Sequence, residues 1–111
     1  MNVKDMPVSR VYPLLVQKAE RKGRAKQEAD AVIAWLTGYA EEQLPECMDM
    51  TYEDFLMKAP AWHPNAEKIT GKVCGVRVET IGDPVMKRIR QLDKLIDELA
   101  KGKPVEKILR K

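Results

Sequence analysis

Apolar positions recur at helical spacing in three long stretches of the chain and alternate in only one. In the first stretch, Val11, Leu14, Leu15 and Ala19 fall on one side of a helix that Ser9 is suited to cap. Pro13 is tolerable there only within the first turn or so, or else it moves the helix start to Tyr12. Gly23 ends the pattern, because glycine accepts the left-handed conformation that closes a helix. A second helix is expected from about Lys26 to Thr37, where Ala29, Val32, Ile33 and Leu36 recur at i, i+3, i+4 and i+7, Trp35 flanks the stripe and Gly38 supplies the stop. The third pattern is the strongest. Asp83 is an N-cap, Pro84 holds the first helical position, and Val85, Ile89, Leu92, Ile96 and Leu99 alternate four and three apart, with Met86 and Leu95 widening the stripe until Gly102. At 1.5 Å per residue that helix is roughly 27 Å long. Pro104 opens a last short helix carrying Ile108 and Leu109.

Between the second and third patterns the chain is broken up. The acidic run AEEQLPECMDM contains Pro45, which prevents a long helix. Thr51 caps a short helix, TYEDFLMKA, with Asp54 placed as the reciprocal capping-box carboxylate. Pro60 and Pro64 bracket a loop, AWH. Residues 69–81 carry two competing signals: Val-Arg-Val-Glu alternation reads as strand, whereas Ile69, Val73 and Val76 after a cap at Asn65, with Gly71 and Gly75 on one face, read as helix. The spacing favours helix. The resulting expectation is an all-α fold, a compact bundle of four to five short helices forming a single domain over residues 1–111, with one short β-hairpin within 69–81 as the alternative.

Composition narrows the class. With 111 residues, 44% hydrophobic and 33% charged, the chain has the balance of a globular domain that needs no metal or disulfide to fold. No apolar run approaches the ~20 residues needed to cross a bilayer, so no membrane contact is expected. No signal-peptide pattern opens the sequence. Cys47 and Cys74 are far apart, form no CxxC and have only His63 to assist them, which points to reduced thiols, a cytoplasmic location, no metal site and no cofactor.

Charge is uneven. Residues 1–39 carry seven basic and four acidic groups (net +3), residues 40–67 one and seven (net −6), and residues 68–111 twelve and six (net +6). Internal pairing between acidic middle and basic ends is the simplest account. The densest basic stretch is 18–26, with Lys18, Arg21, Lys22, Arg24 and Lys26. Ala19, Gly23, Ala29 and Val32 also match the small-residue, turn and core spacing of a helix-turn-helix, which would place Lys22, Arg24 and Lys26 near phosphates and let Gln27 read adenine. Arg24 at a normally apolar position, and Glu28 and Asp30 beside the would-be phosphate path, oppose that reading, so any nucleic-acid binding is expected to be weak.

A catalytic alternative would draw on Glu53, Asp54, Trp62, His63 and Cys74, with His63 as general base and Cys74 as nucleophile. Nothing in their spacing brings them together, and no phosphate cradle or paired metal-ligand motif accompanies them, so no catalytic residue is assigned.

The words VYPLLVQKAERKGR, EADAVIAWLTGY, YEDF, GKVCGVRVE and DPVMKRIRQLDKLIDELAKGKPVEKIL resemble domain-of-unknown-function family 2200, a family of small bacterial proteins, along nearly the whole chain. The resemblance implies a cytosolic, single-domain protein and supplies no catalytic residues. The chain departs from the family at Ala25, where a Thr or Ser cap is expected. By elimination the expected role is that of a non-enzymatic interaction module, forming a homodimer or binding a protein partner through helical faces.

Overall fold

The structure, a computed structural model, describes residues 3–73 and 75–110. Among these, helix α1 spans Val8–Glu20, α2 Lys26–Thr37, α3 Tyr52–Met57, α4 Pro84–Ala100 and α5 Val105–Ile108. Short 3-10 turns punctuate the connections, and a two-stranded antiparallel hairpin pairs β1 (Lys72–Val73) with β2 (Val76–Arg77). The architecture is mostly α, as the periodicity predicts.

Helix α4 is the central post. Its Ile89, Leu92, Leu95, Ile96 and Leu99 are buried, and it packs against α1, α2, α3, α5 and β1. Asp83 accepts the N–H groups of Val85 (2.9 Å) and Met86 (3.2 Å), which fixes the helix start where the cap was expected. The predicted stripe of α2 is equally faithful: Ala29, Val32, Ile33 and Leu36 are all buried.

Helix α1 begins two residues earlier than the Ser9 cap implies, with Pro7 at the N-cap position, and the reason is tertiary. Its first N–H groups, at Val8 and Ser9, donate to the carbonyls of Met50 (2.8 Å) and Met48 (3.1 Å), so a distant segment satisfies what a side-chain cap would have. Leu14, expected in the core, is 57% exposed, while Val16 is buried in its place. The helix ends in a Schellman motif about Gly23 (φ 81°), with Arg24 N–H donating to Ala19 (3.1 Å) and Gly23 N–H to Glu20 (3.0 Å).

The helix favoured for 69–81 does not form. Gly71 and Gly75 take left-handed φ values of 102° and 78°, incompatible with a right-handed helix, and Val73 pairs with Val76 across the hairpin. Ile69, Val73 and Val78 are buried, from the end of one 3-10 turn, the first strand and the start of the next 3-10 turn, while Val76 of the expected alternation is 39% exposed. Thr51 does cap α3, accepting the Asp54 N–H at 3.1 Å, but the short Asp54 carboxylate does not complete a capping box and lies 3.8 Å from Lys58 Nζ instead.

Candidate functional site

The helical hairpin α1–α2 and the 3-10 turn Glu41–Cys47 enclose a cleft of about 290 Å³ lined by Tyr12, Lys26, Asp30, Glu41, Leu44, Pro45 and Met48. Each wall has a local cause. Gly38 (φ 83°) halts α2 and turns the chain back; an added Cβ there would lie 2.6 Å from the Ala61 side chain, so only glycine fits beneath the 60–63 loop. Gln43 then accepts the Ala40 N–H at 2.8 Å, starting the acidic turn, and buried Leu44 anchors it to the core. Lys26 and Asp30, one helical turn apart on α2, project towards Tyr12 on α1.

Asp30 is the hub. It is only 8% exposed, accepts the Tyr12 hydroxyl on Oδ1 and holds Lys26 Nζ on Oδ2 at 2.9 Å. The Lys26 ammonium also stands 5.7 Å from the centre of the Tyr12 ring. Burial, then the hydrogen bond to Asp30, pushes the Tyr12 hydroxyl above its ordinary pKa. The hydrogen bond to Asp30, then that to Tyr12, holds the Lys26 ammonium more strongly protonated than usual. Behind the cleft, Val8, Leu15, Ile33, Tyr52 and Phe55 join Tyr12, Leu44 and Met48 around a void of only about 10 Å³, too small and too apolar to hold an ordered ligand.

Glu41, Glu42, Glu46 and Asp49 are exposed along the acidic turn, and none of their carboxylates has a hydrogen-bond or ion-pair partner among the described residues. The cleft is thus polar at its mouth, apolar along Leu44, Pro45 and Met48, and negatively biased at its rim.

Of the residues considered for nucleic acid, Lys22 and Gln27 are exposed, whereas Arg24 and Lys26 are engaged internally. Arg24 grips Glu28 with two nitrogens (3.2 and 2.5 Å) and the carbonyls of Leu99 (3.1 Å) and Lys103 (2.9 Å). Asp30 points into the cleft rather than towards a phosphate path. His63 is a structural cap: its Nδ1 accepts the Asn65 N–H at 3.0 Å and its ring stacks 4.0 Å from Trp35. Trp62 covers the Arg88 guanidinium at 4.4 Å, and no hydrogen bond or ion pair joins Glu53 or Asp54 to His63 among the described residues. Cys74 lies outside the described residues. Cys47 is a free, buried thiol, raised in pKa first by burial and then by Glu46.

With this arrangement in view, the chain matches the profile of a family described as "Uncharacterized protein conserved in bacteria (DUF2200)" over residues 2–110. The chain belongs to the DUF2200 family. A crystal structure of "uncharacterized protein SP1917" is similar to it at 45% identity with a TM-score of 0.92, covering 98% of this chain and 93% of the other. Comparison with curated proteins gives no significant match. No helix among the described residues is long and apolar enough to cross a membrane, and no group of three His, Cys, Asp or Glu side chains among them is placed to hold a metal ion.

In this DUF2200 chain the sequence offered one overlooked signal for the cleft: Lys26 and Asp30 are four apart, a pairing distance on any helix. Tyr12 carries no such signal, since only the packing of α1 on α2 brings it to Asp30.

Proposed function

We propose that this DUF2200 protein is a non-enzymatic interaction module of the cytoplasm that binds a protein partner on the α1–α2 face. The observation that carries the reading is the cleft: exposed Pro45 and half-buried Met48, backed by buried Leu44, lie beside carboxylates that have no hydrogen-bond or ion-pair partner among the described residues. His63 and Asp54 are committed to capping and pairing, which supports a binding role over a chemical one. The free, buried Cys47 fits a reducing compartment.

The test is site-specific photo-crosslinking in bacterial cells, with a photoreactive phenylalanine at Pro45 or Met48 and, as control, at exposed Gln17. Discrete adducts from the cleft positions and none from Gln17 are expected. Equal labelling from all three overturns the assignment of this face. Sedimentation of the purified chain separates self-association, which would place a second copy on the face, from binding to a different protein.

A further inference from the structure

The cleft holds a clue to what it binds, because one of its own side chains already behaves as a bound cation. Lys26 Nζ sits between the Asp30 carboxylate (2.9 Å) and the Tyr12 ring (5.7 Å), yet its side chain is 58% exposed and tethered only by a flexible stem. Asp30 and Glu41 against Lys26 leave one negative charge in excess within the cleft, and Glu42, Glu46 and Asp49 add to the field outside it. Leu44, Pro45 and Met48 line the same cleft as the two carboxylates, and exposed Pro45 and half-buried Met48 offer apolar surface to an aliphatic stem.

We infer that the cleft accepts an arginine side chain from a basic segment of the protein partner, its guanidinium on Glu41 and Asp30 and its stem on Leu44, Pro45 and Met48, with Lys26 as a tethered competitor for the same place. The inference rests on the interaction role proposed above. Arginine suits the geometry better than lysine, because its planar fork can serve two carboxylates and lie flat against Tyr12 or Pro45. A lysine already occupies the cation position, so a second compact ammonium gains little, while a guanidinium exchanges one donor for several. Displaced Lys26 gives up a pair that is exposed only at its own end, and the incoming guanidinium takes its place on buried Asp30, so the exchange sets affinity rather than forbidding binding.

The probe is a fluorescent nonapeptide carrying three arginines among alanine and leucine, with a citrulline counterpart of the same shape and no charge. Binding is followed by fluorescence anisotropy and mapped by amide shifts in NMR. The arginine peptide should shift Tyr12, Glu41 and Met48, and citrulline should abolish binding. Lys26→Met should tighten it and Glu41→Gln weaken it, each by about two- to fivefold, the scale of one exposed ion pair. Because Glu41 is exposed and has no hydrogen-bond or ion-pair partner among the described residues, Glu41→Gln remains informative even if Lys26→Met is poorly stable. Equal binding of the citrulline peptide, shifts confined to other surfaces, or weaker binding by a folded Lys26→Met variant would overturn the inference. Crosslinks from Pro45 and Met48 together with indifference to arginine would leave the interaction role standing and remove only this chemistry; arginine binding without crosslinks would do the reverse.

Discussion

Arg24 reaches across the fold to Leu99: its guanidinium donates to the Leu99 carbonyl at 3.1 Å, on the C-terminal end of α4, 75 residues away in sequence. There it reinforces the helix end, adding a second donor to a carbonyl that the Gly102 N–H already meets at 3.1 Å and placing positive charge where the helix dipole is negative. Arg88 treats α3 in the same way through the Leu56 carbonyl at 2.6 Å, and Arg110 binds Glu98 with both terminal nitrogens (2.6 and 2.8 Å). These three arginines are therefore internal fastenings, whereas Arg10, Arg21 and Arg77 are exposed.

Arg24→Ala should lower the thermal midpoint clearly, and Arg24→Lys should recover only part of the loss, because a lysine cannot reach a carboxylate and two carbonyls together. Lys22→Ala, at an exposed neighbour, should stay within about 0.5 kcal/mol of the parent. Differential scanning calorimetry of the three variants checks this; an Arg24→Ala midpoint equal to that of Lys22→Ala would show the contacts to be idle.

Acid should act on the same bend. The Arg24 guanidinium, then the Ala25 N–H, lowers the Glu28 pKa from 4.5 to about 2. A depressed carboxylate contributes stability that is complete above pH 4.5 and lost as pH falls towards 2. Glu28→Gln should therefore be less stable than the parent at neutral pH, with the difference shrinking through that window. Asp93 should show the opposite sign, because burial raises its carboxyl despite Arg90 and Lys18 nearby. Asp93→Asn should relieve that cost at neutral pH and lose its advantage in acid. Urea titrations from pH 2 to 7 measure both; a pH-independent gap for Glu28→Gln would contradict the assignment.

Two leucines of similar sequence character should separate sharply. Leu92 is fully buried in α4, so Leu92→Ala should cost about 2–5 kcal/mol. Leu14 is 57% exposed, so Leu14→Ser should stay within about 0.5 kcal/mol. Chemical denaturation settles both values, and comparable losses would mean that Leu14 is covered in solution, as a dimer would cover it.

Duplex DNA should bind weakly and without sequence preference. With Arg24 held by Glu28 and two carbonyls and Lys26 held by Asp30, the 18–26 bend can offer two or three phosphate contacts, for a salt slope of about −2 to −3 and affinities near 10⁻⁴ to 10⁻⁶ M. Anisotropy titrations on random and selected duplexes at several salt concentrations, with Lys22→Ala and Gln27→Ala, measure this. A thousandfold preference for one sequence that Gln27→Ala erases would make the bend a recognition unit.

What the sequence determined by itself is local. The stripes of α2 and α4, the Asp83 and Thr51 caps, the glycine stops at 23, 38 and 102, and the Lys101–Asp97 pair (3.1 Å) all depend on residues within a few positions of one another, where spacing and backbone preference act directly. Tertiary structure decided the rest. Met48 and Met50 moved the N-cap of α1 from Ser9 to Pro7, the core covered Val16 and left Leu14 in water, and pairing of Lys72–Val73 with Val76–Arg77 decided for a short hairpin within residues 69–81. The cleft belongs to the same class: Tyr12, Asp30 and Glu41 lie on three elements whose approach depends on how their apolar faces pack, and no spacing along the chain encodes that distance.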